Sequence, residues 1–141
     1  MKIIKLFLRF TLAFSFLSAV ADRFGLWSQE VSVWGNWANF VSYTKLINPW
    51  FPDGIISTAG VIATVLEVLF AIALLIGFKT EFVAKLSGYL LLLFALSMTF
   101  STGIKGAFDY SVFSASAAAF ALSSMHAFKY LEVDSLLKSK K

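Results

Sequence analysis

Between Ile55 and Phe78 the chain reads IISTAGVIATVLEVLFAIALLIGF, a run with a single charged residue, Glu67. A helix needs roughly 20 mostly apolar residues to cross the hydrocarbon core of a bilayer, so this stretch reads as a membrane span. Three further stretches qualify: about Lys5 to Arg23, Phe82 to Ile104 and Tyr110 to Phe128. The expected fold is all-α, an integral membrane four-helix bundle forming one transmembrane domain over residues 1–141. An aromatic-rich extracytoplasmic segment, 24–54, lies between the first two spans, and 129–141 is a tail.

Composition agrees with that reading. The 141 residues are 59% hydrophobic and 14% charged, against about 25% charged in soluble domains, and the mean hydropathy is +0.80. Without cysteine there is no disulfide, thiol redox centre or iron–sulfur cluster, and one histidine, His126, makes no multi-histidine metal site. No metal is expected. The net charge of +4 is not a nucleic-acid signal, because the basic residues stand in ones and twos between apolar runs rather than along a stripe.

Their distribution sets topology. Lys2, Lys5, Arg9, Lys79, Lys85, Lys129, Lys138, Lys140 and Lys141 fall on the side of the termini, and only Arg23, Lys45 and Lys105 on the other. Both termini are therefore expected in the cytoplasm. The short Gly77–Glu81 turn forces an antiparallel hairpin of the second and third spans. Ser18-Ala19-Val20-Ala21 resembles a signal-peptide cleavage site, but Arg9 inside the run and Asp22-Arg23 directly after it favour a retained first helix.

Glu67 falls near the middle of its span, where a charge costs about 2.5–3.5 kcal/mol on insertion scales. Steps of three or four residues from it reach Gly60, Ala63, Thr64, Ala71 and Leu74, so the acid shares a face with small residues and should point into the bundle. Arg9 is the expected partner. Arg23 lies fourteen residues on, close to four turns, and so on nearly the same face of the first helix. Two readings of these arginines stand: neutralising Glu67 or holding an anionic or quinone-like head group, and snorkelling to the headgroup layers. Glu67 is too deep to snorkel and is an ion-paired acid, a neutral one or a functional one.

The fourth segment is rich in small residues, with Ser114 four before Ala118 and Ala117 four before Ala121, a pattern for close helix contact. Hydroxyls on the third span, Ser97, Thr99, Ser101 and Thr102, read as packing that bonds back to the helix. The 24–54 segment carries Trp27, Trp34, Trp37, Tyr43 and Trp50, residues that favour the membrane interface. If Val33 to Leu46 is helical, Trp34, Trp37 and Val41 form one side and Asn36, Asn39 and Tyr43 a polar one. This is an interfacial anchor or a cap presenting amides and aromatic faces to an amphiphilic ligand.

An arginine-bearing first helix ending in a charged pair, an aromatic outer segment closing in Asn48-Pro49-Trp50, and Glu67 followed by Leu74-Leu75-Ile76-Gly77-Phe78-Lys79-Thr80 together resemble the small four-helix DoxX membrane proteins, from about Leu6 to Ala121. The turn reads Lys79-Thr80 where that pattern has Thr followed by Arg. The resemblance implies a multi-pass protein of the bacterial inner membrane, associated with a quinone-linked oxidoreductase system and a redox partner protein. It would carry no cofactor of its own but use a membrane quinone. In this reading Glu67 exchanges protons and Arg9 holds charge as the catalytic pair, while Arg23, Trp34, Asn36, Asn39 and Tyr43 bind the quinone. The other functional class is a non-enzymatic bundle that binds or carries a lipid-like molecule or scaffolds a partner complex.

Overall fold

The computed structural model describes residues 1–127 and 129–138. Phe128, the expected end of the fourth span, and Ser139, Lys140 and Lys141 of the tail lie outside the described residues. Among the described residues all regular structure is helical: α1 Lys2–Arg23, α2 Trp37–Ile47, α3 Asp53–Ile76, α4 Thr80–Thr102, α5 Ile104–Asp109, α6 Val112–Ser123 and α7 Val133–Lys138. Three of them, α1, α3 and α4, are long and apolar enough to cross a membrane. Large apolar side chains stand exposed along all three, among them Ile3, Phe7, Val65, Leu69, Phe82 and Phe100, the surface a lipid-facing helix presents.

Helix boundaries follow local chemistry. Gly25, at φ 70°, releases α1. The amide of Asn39 is capped by the Asn36 side chain at 2.9 Å to start α2. Pro52 precedes α3, and Gly77 ends it in the left-handed conformation, with Phe78 N–H returned to the Ala73 carbonyl at 2.9 Å. The turn through Gly77, Phe78 and Lys79 makes α3 and α4 the expected hairpin.

The fourth segment differs from expectation. Instead of one span from 110 to 128, the chain forms short α5, turns at Ser111 with φ 57°, and then makes α6, only 12 residues long. At about 1.5 Å per residue that helix covers some 18 Å, less than the roughly 30 Å of the hydrocarbon core. The hydroxyls of Ser123 and Ser124 bond back to the carbonyls of Phe120 and Ala121, both at 2.7 Å, taking acceptors that a continuing helix would use. The small residues of α6 do bring it against α4. Ser116 donates to the Gly88 carbonyl at 2.8 Å, and a Cβ on Gly88 would lie 2.8 Å from the Phe120 ring.

α1 packs chiefly on α3, and α4 on α6. One buried cluster, including Leu12, Ala13, Phe16, Ala71, Leu74 and Leu122, fills the half of the molecule near the termini. A second, Ile47, Ala95, Met98 and Ala107, lies beneath α2 and α5. Between them is a cavity of about 540 Å³.

Candidate functional site

The cavity is walled mainly by aliphatic and aromatic side chains, with Arg23 and Glu67 as its charged groups. Each is 3% exposed, and they form an ion pair. Glu67 therefore meets Arg23 rather than Arg9. The reason is helix register: α1 and α3 run antiparallel, so Phe16 stands beside Phe70, the far end of α1 reaches Thr64 and Glu67, and Arg9 falls beside Leu74 and Leu75.

Arg23 is held on several sides. Its Nη1 donates to Thr64 Oγ1 at 2.7 Å, and Thr64 in turn donates to the Gly60 carbonyl at 2.8 Å. Its guanidinium carbon stands 4.0 Å from the Phe40 ring centroid and 5.3 Å from that of Trp34, distances at which cation–π attraction operates. Trp34 meets Phe40 edge-on at 5.2 Å and Tyr43 at 5.7 Å. Burial, with help from Tyr110, raises the Tyr43 phenol above its ordinary pKa, so it stays neutral well past physiological pH. Among the described residues two buried N–H groups, Arg23 Nε and Trp34 Nε1, have no hydrogen-bond partner. Both belong to residues lining the cavity, and unpaired buried donors are uncommon in folded proteins.

Asp22 positions this wall. Its carboxylate accepts from the backbone N–H groups of Val33, Trp34 and Gly35 at 2.9, 3.0 and 3.2 Å, tying the irregular loop after α1 to that helix's end. Across the cavity, Asn48 accepts from Ser97 at 3.0 Å and donates to the Thr44 carbonyl at 3.0 Å, anchoring the Asn-Pro-Trp turn to α4. Ser97 is thus a cross-helix donor and not only packing. Of the expected site residues, Glu67, Arg23, Trp34 and Tyr43 line one cavity. Asn36 and Asn39 are exposed and outside its wall: Asn36 caps α2, and Asn39 Nδ2 donates to the Trp34 carbonyl at 2.8 Å.

Arg9 belongs to a separate buried network at the end where the termini meet. Its guanidinium donates to the carbonyls of Leu74, Leu75 and Leu131, each at 2.9 Å, and of Tyr130 at 3.1 Å. It thereby covers the unpaired last carbonyls of α3 and clamps the segment leading to α7. Lys5 sits 2.8 Å from Glu81 and 2.7 Å from Glu132, and Lys129 also pairs with Glu81. Asp134 accepts from the amides of Lys79 and Thr80 at 2.8 and 3.2 Å, capping α4. Sequence reasoning missed this network, since its members are scattered over more than a hundred positions and only the fold brings them together.

Among the described residues no group of three or more acidic or histidine side chains is placed to hold a metal ion. No family model, curated protein or solved structure gives a significant match to the chain.

Proposed function

We propose that the chain is a DoxX-like four-helix bundle of the bacterial cytoplasmic membrane, with both termini inside, and that it binds a membrane quinone as a subunit of a quinone-linked oxidoreductase system. In this reading α6 completes the bundle beside the three long helices, and the excess of Lys and Arg at the end of the termini sets the orientation. The observation that carries it is the largely apolar cavity with one buried acid–base pair, Glu67 and Arg23, in its wall. That combination of apolar volume and few fixed polar groups suits a head group with an isoprenoid tail.

Reducing a quinone to its quinol takes two electrons and two protons. The redox partner supplies the electrons, and the Glu67 carboxyl relays the protons one at a time. When Glu67 is protonated, Arg23 keeps its hydrogen bond to Thr64 and its ring contact with Phe40. Arg9, spent on four carbonyls, acts by holding the fold. The second reading, a non-enzymatic binder of a lipid-like molecule, is favoured by the scarcity of polar groups in the cavity wall.

Quinol formation in membranes lacking the native gene, complemented with wild type or Glu67→Gln, separates the two. Gln keeps shape and hydrogen bonding but carries no titratable proton, and general acid–base transfer typically contributes about 10²–10⁴-fold. A fall of that size at equal expression supports the redox subunit, and equal rates favour the binder.

A further inference from the structure

The cavity's polar wall and the exposure of its lining together constrain what enters it and by which route. Arg23 is already neutralised by Glu67, and both are 3% exposed. An anionic phosphate or carboxylate brought to Arg23 would have to lie against the Glu67 carboxylate or displace it, and either costs more than bringing a neutral oxygen. Among the described residues, Arg23 Nε and Trp34 Nε1 are buried donors without hydrogen-bond partners, and Glu67 Oε2, which faces Arg23 Nη1 as an ion pair, accepts no hydrogen bond either. With Glu67 Oε2 engaged by Arg23 Nη1, the two N–H donors lack an acceptor, and beside the Glu67 carboxylate an uncharged one costs least.

The lining also shows where a tail leaves. Most of the wall is sheltered, but five lining residues are exposed: Ser15 of α1, Val33 before α2, Tyr110 after α5, Ile62 of α3 at 54% and Leu93 of α4 at 58%. A side chain that faces the cavity and is also open to the outside marks an edge of the mouth. Ile62 and Leu93 belong to the two long helices joined at the Gly77 turn, so the opening beside them is a lateral one between two helices long and apolar enough to cross a membrane, and it is the opening that suits an apolar tail.

We infer that the cavity takes a neutral, carbonyl-bearing head group, hydrogen-bonded by Arg23 Nε and Trp34 Nε1, whose apolar tail passes out between α3 and α4 beside Ile62 and Leu93. This deepens the ligand-binding reading of the cavity and rests on it. Quinones and neutral glycerides both supply such a carbonyl, so the probes must separate them.

The test is calorimetric titration of the full chain in mild detergent with ubiquinone-0, which is head group alone, decylubiquinone, dioctanoylglycerol and dioctanoyl phosphatidylglycerol. Wild type is expected to bind decylubiquinone in preference to the anionic lipid. Trp34→Phe keeps an aromatic ring but deletes one donor. Arg23→Lys keeps the charge facing Glu67 but deletes Nε. Each should weaken both quinones about tenfold, the worth of one hydrogen bond. Leu93→Trp, which narrows the mouth, should weaken decylubiquinone at least about tenfold and leave ubiquinone-0 unchanged. Leu69→Trp, at an exposed position on α3 outside the cavity wall, should change neither.

Preference for phosphatidylglycerol would overturn the neutral head group. Unchanged quinone binding in both donor variants would overturn the proposed contacts while leaving quinone binding intact. Undiminished decylubiquinone binding in Leu93→Trp would overturn the route. Binding of dioctanoylglycerol but neither quinone, with the same donor dependence, would refute the redox reading and support the neutral carbonyl site. Binding of none of the probes would refute both.

Discussion

Replacing Arg23 and Glu67 singly and together tests the pairing on which the cavity wall depends. Glu67→Leu leaves a guanidinium that cannot lose its proton, still bonded to Thr64 at 2.7 Å and resting 4.0 Å from Phe40 but with no counter-charge. Removing one partner of a buried pair costs about 3–5 kcal/mol, whereas replacing both by apolar groups of similar volume is often near neutral. Arg23→Leu forfeits the Thr64 bond and the ring contact as well, but the acid it strands can take up a proton, which limits the loss to the lower part of that range. The double variant loses Thr64's partner, for about 1–2 kcal/mol, and no longer carries a charge. The two residues should therefore be coupled by at least about 3 kcal/mol. The assay is unfolding of purified protein in mixed micelles of increasing denaturing-detergent content, with the Arg9 and Glu67 pair as control. That pair has no shared partner and should couple by less than about 0.5 kcal/mol. Additive losses for Arg23 and Glu67, or strong coupling of Arg9 with Glu67, would refute the register assigned to α1 and α3.

Other consequences concern the two ends of the molecule. In Gly77→Ala the new Cβ would lie 2.6 Å from Glu132 Cα and 2.8 Å from Arg9 Nη2 at a residue with φ 72°. The variant should release the segment before α7 and make it cleavable in limited proteolysis that leaves wild type intact. Asp22→Ala removes the acceptor of three backbone N–H groups. Protection of the Val33, Trp34 and Gly35 amides against hydrogen exchange should fall about tenfold or more. Burial opposes the charge of Lys129, but hydrogen bonding to Glu81 and the charge of Glu132 outweigh it and raise its pKa. A raised folded-state pKa adds stability in full below the unfolded value, about 10.4, and loses it as pH rises through the folded value. Proteolytic release of the C-terminal segment should consequently increase above about pH 10.5 and not between pH 7 and 9.

Much of this architecture was legible in the sequence, because the requirement for long apolar runs is nearly one-dimensional. The stretch from Ile55 to Phe78 gave α3 to within two residues at each end, and the Gly77 turn gave the hairpin. The break at Ser111, a backbone turn at φ 57°, and the early end of α6, where the Ser123 and Ser124 hydroxyls bond back to carbonyls, were not legible in a stretch whose hydropathy is continuous. Glu67 was visible as a buried charge and its face as one lined with small residues. Its partner was not, because Arg9 and Arg23 occupy one face of α1, and only the depth at which α1 sits against α3 decides between them. Asn36 and Asn39 have the composition of a polar binding face, yet helix capping and loop closure use their side chains locally. Asp22 carried no signal beyond its place next to Arg23, and its role emerges only when the loop folds back over it.

If the cavity between α1, α3 and α4 holds a neutral amphiphile against Arg23 and Trp34, the protein should carry it through purification. Native mass spectrometry of the protein released from mild detergent, followed by extraction and identification of what it carries, tests this most directly. One isoprenoid quinone per chain is expected, lost in a Trp34→Phe, Arg23→Lys double variant that retains wild-type stability. Wild-type protein that carries only anionic phospholipid, or a quinone retained undiminished by the double variant, would contradict it.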